Sequence, residues 1–208
     1  MKLNKFKVLS NEEIERIHET SMRLLSEVGI KIDSMEVLEF LKQFNVEIDS
    51  KTLFVKFSES LIKKYLKKVP SNFKLHYREG TKYLDISPTS THFLTIGAAV
   101  KIHDPTKKKL VRKSVLADTI NFMRVVNQLE NISASQIDIW PGDIKYTTIH
   151  AACMYHWAKN SHKSFGFGCY GKVVSQDSMN MASIIAGGEE KLKKKPRIFG
   201  IFNPTSPL

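Results

Sequence analysis

Cysteine is nearly absent from this 208-residue chain. The two that occur, Cys153 and Cys169, sit in apolar surroundings and are too few to staple a small secreted fold, so both are expected to be reduced thiols. Long hydrophobic runs are missing as well. No stretch approaches the roughly 18 uninterrupted apolar residues of a membrane span, and the opening MKLNKFKVLS lacks the apolar segment of a secretory signal. A cytoplasmic protein with no membrane partner is the expectation. Arginine is scarce too: Arg16, Arg23, Arg78, Arg112, Arg124 and Arg197 are all there is, and the formal charge of +11 is carried almost entirely by lysine. Clustered cations gain affinity for nucleic acid by releasing counterions. Arginine, however, has the planar fork that suits phosphates and base edges, and the densest lysine runs, Lys107 to Lys109 and Lys191 to Lys195, are placed like turns. They read as solvated loops, and nucleic acid is not expected as a partner. Also lacking are a P-loop, a Ser-His-Asp order and a defensible pair of catalytic carboxylates.

What is present is a chain that is 42% hydrophobic and long enough to bury a substantial core. Ser10-Asn-Glu-Glu13 has the spacing of a capping box, and Ile14, Ile17, Leu24, Leu25 and Val28 follow it on one helical face until Gly29 ends the helix. Further helices are expected from Ser34 to about Phe44 and from Ser58 to about Lys68, the latter stopped by Pro70. Short strand-like pieces, VEID, LFVKF, FKLHY and YLDI, lie between and after them. Residues 1–90 therefore read as an α+β region of helices and small hairpins. From Thr91 the rhythm becomes strand, helix, strand, helix, with strands at Phe93–Ala98, Ile132–Trp140, Ser164–Tyr170 and Arg197–Asn203 and helices at 114–129, 144–160 and 175–187. Such alternation means parallel strands joined by crossover helices, an α/β fold, over residues 91–208. Four strands are half of a (β/α)8 barrel, so the region is either an open sheet or the first half of something longer.

Several motifs invite chemistry. GFGCYG, residues 166–171, has the G-x-G-x-x-G spacing of a dinucleotide fingerprint, but Gly166 lies inside a strand and the acidic pair Glu189-Glu190 falls in a loop before the next strand instead of at its end. A glycine-rich strand end approached closely by a backbone or a bulky ligand is the better reading. His150, Cys153 and His156 recur three apart, yet one helix cannot aim all three at a single tetrahedral metal, and no metal site is assigned. Asp143 reads as the N-cap of the helix at 144–160, and its place in a loop after a strand also makes it a candidate for chemistry. Trp140, Tyr170 and Phe202 recur at strand C-terminal ends, where three aromatic faces would surround a quaternary ammonium ion, with Asp143 and Asn203 on the same face.

Three stretches carry a resemblance. LSNEEIERIHETSMRLLSEVGIKI, VPSNFKLHYREG and KKPRIFGIFNPTSPL resemble, in this order and spacing, the opening, the hairpin region and a later strand of the trimethylamine methyltransferase family, and the similarity runs the length of the chain. Members are β/α barrels that move a methyl group from a methylated amine to the cobalt of a partner corrinoid protein. Some contain pyrrolysine and use trimethylamine; others lack it and use quaternary amines such as glycine betaine. The resemblance implies the N-terminal half of such an enzyme, with no cofactor bound covalently, a small methylated amine as substrate, the corrinoid supplied by its partner protein, and room for a homo-oligomer. The alternatives are a non-catalytic α/β fragment and, further off, a basic binding protein.

Overall fold

A computed structural model describes residues 7–104, 106–107 and 110–202. It divides into two compact units, one ending at Pro70 and the other beginning at Ser71.

In the first unit α1 (Asn11–Arg23) starts where the sequence places it. The Ser10 amide donates to Glu13 Oε2 at 2.7 Å, and the Glu13 amide returns a bond to Ser10 Oγ at 3.2 Å, a reciprocal arrangement that satisfies two orphan donors. A π-helical turn, Leu24–Val28, leads to Gly29, whose φ of 84° ends the helix. A Cβ at Gly29 would lie 2.4 Å from the Val55 carbonyl oxygen, so glycine is what lets the helix end meet the sheet. That sheet is antiparallel, in the order β1 (Ile30–Lys31), β3 (Phe54–Lys56), β2 (Glu47–Ile48). Helices α2 (Met35–Lys42) and α3 (Glu59–Leu66) are capped by Ser34 and Ser58, which accept from the Val37 and Leu61 amides. Met22, Leu38 and Val55 are the buried apolar centre, a small one for a unit of this size.

The second unit opens with a hairpin of β4 (Phe73–His76) and β5 (Tyr83–Ile86). Its Leu75 and Leu84 pack on Ala134, and its His76 amide donates to the Pro196 carbonyl at 2.7 Å. Although the sequence rhythm changes at Thr91, the compact unit thus takes in residues from 71 onward. A second hairpin, β6 (Lys101–His103) with β7 (Val111–Lys113), holds Lys107 in its connection; Lys108 and Lys109 lie outside the described residues. Then come α4 (Leu116–Gln128), β8 (Ala134–Ser135), a 3-10 turn at Tyr146–Thr148, α5 (Ile149–Asn160), β9 (Ser164–Gly168), α6 (Lys172–Ala186), α7 (Glu189–Lys194) and β10 (Ile198–Ile201). Strands β8, β9 and β10 pair in parallel. The segment 93–99 joins β8's side through parallel bridges Leu94 to Ala134 and Ala99 to Ile139. Strands β9 and β10 fall within the expected Ser164–Tyr170 and Arg197–Asn203, whereas the strand expected at Ile132–Trp140 is reduced to β8 with a bridge at Ile139, and Phe93–Ala98 forms no strand, only the bridge at Leu94. Parallel pairing in chain order with helices between is still the α/β pattern. Two further local expectations fail. The run Lys191 to Lys195 is mostly helix α7, with Glu189-Glu190 in its first turn instead of in a loop, and the helix expected from 144 begins at Ile149.

The core of this unit lies between the sheet and its helices. Trp157 of α5 is fully buried and stacks on Phe165 of β9 with ring centroids 5.2 Å apart. Its indole N–H donates to the Lys163 carbonyl at 2.9 Å. Lys163, 5% exposed, sends its ammonium to the carbonyls of Val126, Leu129 and Ile132. These oxygens cluster where α4 ends, so a buried cation answers both the unpaired carbonyls and the negative end of the helix dipole. Burial holds its pKa below the usual lysine range.

Candidate functional site

At the C-terminal ends of the parallel strands lies a pocket of about 240 Å³ lined by Ile96, Gly97, Gln136, Gly168, Cys169 and Tyr170 among others. Glycine makes this space. A Cβ on Gly168 would fall 2.2 Å from the Tyr170 ring, one on Gly166 would fall 2.5 Å from the Phe199 ring, and one on Gly97 would fall 2.8 Å from the Asp138 carbonyl oxygen. The first two glycines of GFGCYG thus give room to aromatic side chains. The third, Gly171 with φ 95°, opens α6. Glu189 and Glu190, in the first turn of α7, are not at the end of β10, where a ribose-binding carboxylate would stand.

Two of the three aromatic residues singled out from the sequence meet. Trp140 and Tyr170 lie edge to face, centroids 5.8 Å apart and planes at 89°. Tyr146, in the 3-10 turn before α5, has its ring centroid 5.8 Å from that of Trp140 with the planes tilted by 45°. No sequence signal marked Tyr146, because it sits in an irregular connection with no periodicity. Phe202 follows β10, is 80% exposed, and has no ring contact among the described residues. Asn203 lies outside the described residues. Asp143 does not cap α5: Thr148 precedes that helix and makes no side-chain cap bond. Instead Asp143 Oδ1 accepts from the amide of Leu116, the first residue of α4, at 2.8 Å.

Sequence reasoning also passed over Asp138. It is 6% exposed; its Oδ2 accepts from the Thr95 hydroxyl at 2.6 Å, while its buried Oδ1 has no partner. Burial pushes its pKa up, against the smaller opposing effects of the Thr95 hydroxyl and the Gln136 backbone. An acid within the apolar run IDIW was the available signal. Next to this wall, Gln136 places an amide at the pocket.

The other chemistry candidates disperse. His150 Nε2 lies 3.1 Å from Asp177 of α6, Cys153 is fully buried, and the His156 carbonyl accepts from the Asn160 amide. Burial pushes the Cys153 thiol up to about 12, so it is a packing residue and not a nucleophile. Cys169 faces Gly200, where a Cβ would lie 2.9 Å from its sulfur. Among the described residues no three His, Cys, Asp or Glu side chains gather as a metal site, and no helix is long and apolar enough to cross a membrane.

Comparison with known proteins gives one family. The model described as trimethylamine methyltransferase (MTTB) matches residues 1–208. The chain is similar to a glycine betaine methyltransferase of Desulfitobacterium hafniense strain Y51, 28% identical over 207 residues, covering 99% of this chain and 42% of that protein. It is similar also to a trimethylamine methyltransferase MttB of Desulfitobacterium hafniense strain DCB-2, 29% identical over 201 residues, covering 96% and 40%. A trimethylamine methyltransferase MttB2 of Methanosarcina mazei is 27% identical over 212 residues, covering 97% and 41%. The chain spans about two fifths of the length of these relatives.

Proposed function

The chain belongs to the trimethylamine methyltransferase family, and from that premise we propose that it forms the first half of a β/α barrel that takes a methyl group from trimethylamine or a quaternary amine such as glycine betaine and delivers it to a corrinoid protein. The observation that carries the reading is the Trp140–Tyr170 pair, edge to face at 5.8 Å beside a glycine-lined pocket at the strands' C-terminal ends. A quaternary ammonium ion has no hydrogen to donate. It is held by ring faces and by negative field, and aromatic rings next to a buried carboxylate offer both. Trp140 and Tyr170 supply the rings. Asp138, behind the pocket wall at Gly97, supplies the field.

The pocket mouth fits a bulky planar group. Ile96 is 90% exposed at its edge, and glycines instead of side chains form much of its floor. When docked, the partner's corrinoid supplies the methyl acceptor. This chain's own task is to orient one methyl group toward the mouth, because displacement at carbon needs an in-line approach, and to keep water away while it occurs. Ile137 and Ile201 line an apolar wall suited to the second task.

The test is a calorimetric titration of trimethylamine and glycine betaine into the barrel completed with a relative's C-terminal part, alongside Trp140→Leu and Tyr170→Leu. Leucine keeps apolar bulk and removes the ring quadrupole. Binding should weaken by about 0.5–2 kcal/mol with little change in melting. Unchanged affinity in both variants, with loss of stability instead, would remove the cage.

A further inference from the structure

The rings of Trp140 and Tyr170 account for holding a methylated ammonium ion, but ring faces alone do not tell one methylated amine from another. Gln136 bears on that choice. It is half-buried in the lining of the same pocket, and among the described residues its side-chain amide has no hydrogen-bond partner. An amide carries two donors and an acceptor, all of them unused here.

Strand β9 sets where that amide stands. A Cβ on Gly166 would fall 3.2 Å from Gln136 Cβ, and one on Gly168 would fall 2.2 Å from the Tyr170 ring, so Gln136 lies beside the first glycine and the ring lies over the second. Two residues apart in a strand, these glycines share one face and stand about 7 Å apart along it. The amide and the ring therefore border one space, with Gln136 deeper and Tyr170 nearer the strands' C-terminal ends. That span is on the scale of a small quaternary amine with an oxygen on the second carbon from nitrogen.

A ligand filling this space takes water from the amide. If the arm pointing at Gln136 ends in a methyl group, the amide is left unpaired, which is costly, whereas an oxygen there restores its bond. The titratable neighbours are Asp138, behind the wall at Gly97, and Cys169 and Tyr170 in the lining. An ionised Asp138 draws the nitrogen and opposes a second negative charge close to it, so the oxygen belongs at the deeper position, beside a group that is neutral.

We propose that Gln136 is the specificity-determining residue of this pocket: it hydrogen-bonds an oxygen on the arm that stays with the nitrogen, and so favours an oxygen-bearing quaternary amine over trimethylamine. This rests on the reading of the pocket as a cage for a methylated amine. The oxygen is that of a carboxylate or of a hydroxyl, since the amide donates to the first and either donates to or accepts from the second. Holding that arm deep in the pocket also turns the methyl groups toward the mouth.

Nuclear magnetic resonance of the full 208-residue chain, labelled with heavy nitrogen, tests this. The Gln136 amide signals are identified by their loss in Gln136→Leu, and the Trp140 indole signal by its loss in Trp140→Leu. Tetramethylammonium and trimethylamine should move the indole and leave the amide in place. At least one of choline and glycine betaine should move both, and which one does so names the oxygen. Gln136→Leu should weaken that ligand roughly tenfold while leaving tetramethylammonium unchanged. Gln136→Glu, which keeps an acceptor and adds charge, should retain a hydroxyl arm and repel a carboxylate. An indole that responds to every ligand while the amide stays still, or a Gln136→Leu variant that loses tetramethylammonium and the oxygen-bearing amines alike, would overturn the role of Gln136 and leave the cage standing. No response of the indole to any of them would overturn both.

Discussion

Asp143 closes the start of a helix that lies 27 residues before it in the chain: its Oδ1 accepts from the Leu116 amide at 2.8 Å. The bond ties the loop that carries Trp140 to the N-terminus of α4, so the aromatic pair and that helix share one anchor. The same terminus is held from within by Asp118, which accepts from the Val115 amide at 2.9 Å and binds Arg112 at 2.7 Å.

Asp143→Ala should cost about 0.5–2 kcal/mol, the usual loss for a helix cap, and Asp143→Asn should recover most of it. Urea unfolding of the three proteins reads the difference. If Asp143 instead contacted substrate alone, stability would stay level and only affinity would fall.

Two glycines two residues apart in β9 should behave differently when given a methyl group. At Gly168 the obstacle is the Tyr170 ring, 57% exposed and free to swing away. Gly168→Ala should melt close to the parent but lose substrate affinity as Tyr170→Leu does. At Gly166 the obstacles are the Phe199 ring and Gln136 Cβ within a buried strand. Gly166→Ala should therefore lose about 1–3 kcal/mol, the range for overpacking a filled site.

Asp138 sets a pH dependence. Its carboxyl is pushed above the ordinary carboxylate range, so between the unfolded and folded pKa values the native state holds the extra proton and stability falls as pH rises. Asp138→Asn keeps an acceptor for the Thr95 hydroxyl and removes the charge. It should melt above the parent at pH 7, and the gap should close as pH drops below about 4, where the unfolded carboxyl is also protonated. A gap that widens in acid would mean that the carboxylate is stabilised in the fold.

Lys163→Met should be among the more damaging single changes outside the apolar core. It leaves the carbonyls of Val126, Leu129 and Ile132 without their shared donor, at a cost of about 2–4 kcal/mol. Hydrogen exchange should quicken first at the C-terminal turn of α4.

The crossover pattern was legible because its strands are apolar and its helices are long. Ser164–Tyr170 and Arg197–Asn203 read as strands from composition alone, the capping box at Ser10 placed the start of α1, and the starts expected at Ser34 and Ser58 fall on the caps of α2 and α3. Phe93–Ala98, equally apolar, forms only an isolated bridge at Leu94. The hairpin of β6 and β7 was not legible. Its three-residue strands are mostly Lys, Arg, His and Val and lack apolar alternation; Arg112 holds it, bridging Asp104 at 2.9 Å and Asp118. Lysines at 191 to 195 read as a turn because charge is common in turns, yet Leu192 anchors one helical turn into a core cluster with Ala182 and Ala186. Of the aromatic set, Trp140 and Tyr170 were found because each closes an apolar run, Tyr170 two residues past β9 and Trp140 just after the bridge at Ile139. Tyr146 was missed because loop geometry, not periodicity, brings it there.

The buried amine of Lys163 also has a consequence for chemical labelling. The chain is crowded with solvent-facing lysines that any acylating or alkylating reagent reaches at once. An ammonium held by three carbonyls has neither a free lone pair nor an open approach. In the native protein Lys163 should thus stay unmodified long after its neighbours have reacted, and the appearance of its adduct in a digest would timestamp the opening of the α4 end.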